Sequence, residues 1–113
     1  MIFAAATDEK TLFVFASAEK AIAYCEGLDV EGGGWLFWDE AGSALSPEFF
    51  TPNRRDGFTV GNGIYQLVLS PTNPPLSEVA KELNHLDANP YFASFSAILA
   101  HLASAGCAAQ HGA

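Results

Sequence analysis

The stretch Ser17–Phe50, SAEKAIAYCEGLDVEGGGWLFWDEAGSALSPEFF, decides how the rest of the chain is read. It opens as a short amphipathic helix. Ser17 is a natural N-cap, and Glu19 falls in the first turn, where the helix dipole favours negative charge. Ala18, Ala21, Ile22 and Cys25 recur at helical spacing and Gly27 supplies a stop, so a helix is expected over 18–26. Gly32, Gly33 and Gly34 then turn the chain into Trp35–Trp38, a strand that returns through the hairpin turn 39–42 into 43–50. Pro47 places that return strand at an edge or a bulge. A phosphate cradle at the glycines needs a helix N-terminus after them, whereas here a strand follows.

Upstream, Met1–Ala6 and Thr11–Ala16 are apolar runs joined by the polar turn 7–10, a hairpin pattern. Leu12, Val14 and Ala16 share one face, and Phe13 and Phe15 share the other. Apolar residues on both faces put this strand inside the sheet. Downstream, the loop 51–57 holds the basic pair Arg54 and Arg55. Phe58–Val60 and Ile64–Leu69 flank Gly61-Asn62-Gly63, and Asn-Gly is the preferred tight-turn pair, so a second hairpin is expected. Pro71, Pro74 and Pro75 break regular structure. Ser77 is then expected to cap a helix carrying Val79, Leu83 and Leu86. Pro90 is expected to open a last helix with Phe92, Phe95, Ile98, Leu99 and Leu102, ended by Gly106 and followed by a frayed 107–113. Strands first, helices last and one helix inserted early predict an α+β fold in a single domain spanning 1–113. Its sheet is mainly antiparallel, of about five to six strands, with one early helix and two C-terminal helices.

Composition narrows the function. Thirteen acids against five bases give a net charge of −8 over 113 residues. That balance disfavours direct binding to nucleic acid or to an anionic membrane, and attracts a cationic protein instead. No apolar run approaches the roughly 20 residues of a membrane span, and the N-terminus lacks the basic region of a signal peptide. A soluble, cytoplasmic protein is expected, with Cys25 and Cys107 as free thiols. His85, His101 and His111 have no zinc-ligand spacing, so no metal or other cofactor is expected. There is no Gly-x-Ser-x-Gly elbow, and Asp39-Glu40 sit at a solvated turn tip. No residue is assigned as catalytic, and the chain reads as a non-enzyme.

Between Lys20 and Arg54 lie six acids and no Lys or Arg. Asp29, Glu31, Asp39, Glu40 and Glu48 are the candidate charges of a binding surface, with Trp35 or Trp38 as its buried anchor. Three other readings stand beside this one. The acids can be a solvated face that maintains solubility. The chain can be a structural or adaptor module that self-associates through an exposed aromatic edge. It can also be a small-molecule-binding domain with a cavity beneath the helices. The sequence does not fix an oligomeric state.

The segments 21–45 (AIAYCEGLDVEGGGWLFWDEAGSAL) and 49–68 (FFTPNRRDGFTVGNGIYQLV) carry a resemblance. They are similar to a family of small acidic bacterial proteins of contact-dependent growth inhibition. The C-terminal helices carry no such likeness. The resemblance implies an immunity protein, which binds and neutralises a cognate toxin domain. It further implies that the partner is a basic domain, often a nuclease acting on tRNA.

Overall fold

In the computed structural model the chain is described at residues 1–52, 54–55, 60–61 and 63–111, with backbone alone at 54–55, 60–61 and 106–111. In chain order the elements are β1 (Ile2–Ala6), β2 (Thr11–Phe15), α1 (Ala18–Tyr24), α2 (Gly27–Glu31), β3 (Trp35–Trp38) and β4 (Ala44–Thr51). There follow β5 (Arg54–Arg55), β6 (Val60–Gly61), β7 (Ile64–Leu69), α3 (Leu76–Val79), β8 (His85–Leu86) and α4 (Phe95–His111). The main sheet has the order β7-β4-β3-β1-β2-β8. All its pairings are antiparallel except β2 with β8, so the fold is α+β with a mixed, mostly antiparallel sheet.

β1 lies centrally because both of its faces are apolar, and each is covered. Phe3 and Ala5 face one way with Leu12 and Trp38, beneath Leu76, Ala80, Ile98 and Leu102. Ile2 and Ala4 face the other way with Phe37 and Tyr65, beneath Ala21, Cys25 and Val30. The result is three layers: α1 and α2, the sheet, and α3 with α4. Burying each large apolar side chain contributes roughly 1.5–3 kcal/mol. Among the described residues no helix is long and apolar enough to cross a membrane.

The hairpin of β1 with β2 and that of β3 with β4 form as expected, and Ser17 Oγ accepts from Lys20 N at 3.3 Å as the N-cap. β3 pairs with β4 at Phe37↔Leu45 and Trp38↔Ala44, so Pro47 lies where β4 is paired only on its β7 side. A register shift between Phe49 and Thr51 adds the expected bulge.

Several boundaries differ. The early helix is two helices. Cys25 turns extended, and Gly27, rather than stopping a helix, is the buried first residue of α2. Ile64–Leu69 pairs with β4 rather than with a strand at 58–60. Val60–Gly61 pairs instead with Arg54–Arg55, a segment expected to be loop. Phe58, Thr59 and Asn62 of that expected hairpin lie outside the described residues.

The first C-terminal helix has Pro75 at its N-cap, not Ser77, and becomes a 3-10 turn at Ala80–Glu82. Leu86 is not on it. Asn84 N and His85 N donate to the Lys10 carbonyl and Asp87 N donates to the Leu12 carbonyl, which hold this segment as a strand beside β2. The last helix starts at Phe95 rather than Pro90. Asn89 Oδ1 accepts from Tyr91 N and Phe92 N in a preceding turn, and Ser94 Oγ caps the helix by accepting from Ala97 N. The helix continues past Gly106 to His111, where a frayed tail was expected.

Candidate protein-binding surface

The register of β1 against β3, with Ala6 opposite Trp35, brings the turn 7–10 against the glycine run 32–34. Thr7 fastens the two. Its N–H donates to the Gly34 carbonyl at 3.0 Å, and its Oγ1 donates to the Gly33 carbonyl at 2.9 Å. Gly34 N donates to the Asp29 carbonyl at 2.8 Å, and a Cβ on Gly34 would stand 3.0 Å from that oxygen. Gly33 has φ +82°, a left-handed conformation that glycine adopts without strain. The glycine run therefore ties α2 to the β1–β2 turn by close backbone approach.

Between these pieces lies a cleft of about 380 Å³. Asp8 and Glu9 come to it from the β1–β2 turn, Asp29 from α2 and Trp35 from the start of β3. Its described lining holds three carboxylates and no Lys or Arg. Charges of one sign in a concave site reinforce one another's field and draw in cations. The carboxylates do not converge on a point: no three metal-ligating side chains gather to hold an ion among the described residues.

Trp35 is a half-buried wall of this cleft, braced from behind. Its ring meets Phe13 at 5.3 Å and 62° and Tyr24 at 5.9 Å and 84°, both edge-to-face. Phe15 closes the group at 5.5 Å from Tyr24, which is itself 56% exposed. Such pairs add about 0.5–1.5 kcal/mol each beyond area burial and hold the ring in place.

The other expected site residues go elsewhere. Trp38 points to the opposite face of the sheet from Trp35, is 2% exposed, and donates from Nε1 to the Pro74 carbonyl at 3.0 Å. It is a core residue, and the expectation that it could anchor a partner is corrected. Asp39 Oδ1 accepts from Ala41 N at 3.0 Å and Ser43 N at 2.9 Å, building the hairpin turn. Glu40 is exposed on that turn. Its carboxylate lies 3.9 Å from the Met1 ammonium, and its carbonyl accepts from His101 Nε2 at 2.8 Å. Both residues sit at the far end of β3 from the cleft. Glu48 is on β4 opposite Gln66, exposed on a third part of the surface. Glu31 ends α2, exposed and two residues beyond Asp29.

Of the seven expected residues, then, Asp29 and Trp35 meet in one site, with Glu31 on the same short helix. Asp8 and Glu9 were missed, since only the β1–β3 register places them there.

Behind the cleft, Cys25 is buried and its thiol is pushed up to about 12, first by burial and then by the negative charge of Asp29. Tyr65 Oη donates to the Cys25 carbonyl at 2.7 Å, and its hydroxyl is likewise shifted up by burial and by Cys25. A thiol kept neutral in this way is packing material rather than a nucleophile. Comparison of the chain with protein families, curated proteins and solved structures finds no match.

Proposed function

We propose that this protein is a non-enzymatic immunity protein that binds and neutralises a cognate cationic toxin domain, of nuclease type, in the cytoplasm. The observation that carries the reading is the cleft at Trp35, with carboxylates from two separate elements, no compensating base in its described lining, and a braced aromatic wall. A nuclease presents Lys and Arg to grip phosphate, and a rigid acidic concavity can take those groups in place of the polyanion. A net charge of −8 accelerates the encounter, which suits a protein that must intercept a toxin before it acts.

The test is a titration with the protein encoded immediately upstream, read by tryptophan fluorescence, beside an assay of RNA cleavage. The expected result is a tight complex that weakens as salt is raised and that blocks cleavage. A neighbour that neither binds nor is inhibited removes the reading.

A further inference from the structure

Residues 57–77 contain no Asp, Glu, Lys, Arg or His, in a protein that is otherwise strongly acidic. β7 lies inside that stretch and is the last strand at its end of the main sheet. No strand among the described residues pairs with its outer side in that sheet. Natural edge strands are guarded by charge, proline, a bulge or brevity, because open N–H and C=O groups recruit another strand. The opposite edge, β8, is two residues long and followed by Asp87. β7 has six residues, no charge and no proline, and the register shift beside it falls between Phe49 and Thr51 of β4.

From this we infer that β7 is a self-association edge, at which a second copy of this chain adds its own β7 in antiparallel pairing. Three features select a second copy over another strand. The row of backbone donors and acceptors accepts only an extended segment. A basic partner finds no carboxylate on β7, whereas two like molecules of net charge −8 can approach there with no charge on either strand to oppose them. The strand is also apolar at both ends, with Ile64 63% and Leu69 68% exposed. Ile64 and Leu69 lie on opposite faces, and a strand paired antiparallel with its own copy about a two-fold axis extends the sheet past both. A contact built on six residues belongs to the small interfaces, below about 1,200 Å², and gives a weak, concentration-dependent dimer.

This surface is separate from the acidic cleft, and salt acts on it in the opposite sense. Screening relieves the repulsion between two acidic molecules while leaving strand pairing intact.

Sedimentation equilibrium of the 113-residue chain over a range of concentrations tests the inference. The expected result is a monomer–dimer equilibrium that tightens as salt is raised and weakens at least about tenfold in Leu69→Lys, which adds a charge at an exposed edge position. Amide exchange of the unmodified protein provides a readout independent of how the variant folds, and exchange at 64–69 should slow as concentration rises. A monomer at every concentration and salt overturns the inference. So does a dimer that forms without added protection at 64–69.

Discussion

The two ends of β3 hold the same ingredients, a tryptophan beside acidic residues, and put them to different uses. At the Trp35 end the acids come from the β1–β2 turn and from α2, and the ring stands half-buried at the wall of a cleft. At the Trp38 end the ring is buried under α3 and α4, and Asp39 spends its carboxylate on the backbone of its own turn. Three positions separate the tryptophans. In a strand an odd separation sends side chains to opposite faces, so a motif that is continuous in sequence is split across the sheet. Acids and aromatics that adjoin in the chain define a binding surface only when the strand's alternation leaves them on one side.

That contrast can be broken most forcefully at the tryptophans. Trp38→Ala empties a core site and removes the bond to Pro74, and is expected to cost about 3–5 kcal/mol in urea unfolding. Trp35→Ala is expected to cost less than about 2 kcal/mol. Equal losses would mean that both rings serve the core.

The next effect is on pH. In the folded state Cys25 keeps its proton to about pH 12, whereas in the unfolded chain it titrates near its ordinary value of 9.0. Between those values the unfolded state binds fewer protons. Stability is therefore fully present below about pH 9 and falls as pH rises, by up to about 1.4 kcal/mol per unit from this one group. Thermal melts from neutral to alkaline pH should show the decline, and Cys25→Ala should lessen it, leaving the share that the raised Tyr65 hydroxyl contributes above its ordinary value of 10.0.

Tyr65→Phe, which leaves the Cys25 carbonyl without its buried donor, is expected to cost about 1–2 kcal/mol in the same unfolding assay. The smallest effects sharpen the comparison between acids. Asp39→Ala removes two turn hydrogen bonds and should cost about 1 kcal/mol, while Asp29→Ala, at an exposed carboxylate, should stay within about 0.5 kcal/mol. If Asp29→Ala proved the more costly, that carboxylate would be structural, which would count against the binding surface proposed at the cleft.

Local signals in the sequence carried much of the fold. The doubly apolar β2, the Ser17 cap, the turn at 39–42 and the bulge near Pro47 each follow from a few adjacent residues, and each is present. What escaped depends on partners distant in the chain. Val79, Leu83 and Leu86 have helical spacing, yet the carbonyls of Lys10 and Leu12 recruit 84–87 as an edge strand. Ile64–Leu69 has a tight-turn signal before it, yet β4 is its neighbour. The site was half legible for the same reason. Asp29 and Trp35 belong to one local stretch. Asp8 and Glu9 enter only through the pairing of Ala6 with Trp35, 29 positions further along the chain.

The most direct test is a parallel titration of the unmodified protein, Asp29→Lys and Glu40→Lys with the cationic toxin domain proposed as its partner, sought in the product of the adjacent gene. Charge reversal in the cleft should weaken the complex at least about tenfold and flatten its salt dependence, while reversal at the hairpin tip should leave both nearly unchanged. Loss of binding in Glu40→Lys with Asp29→Lys unaffected would place the interface at the Trp38 end and contradict the assignment of the cleft.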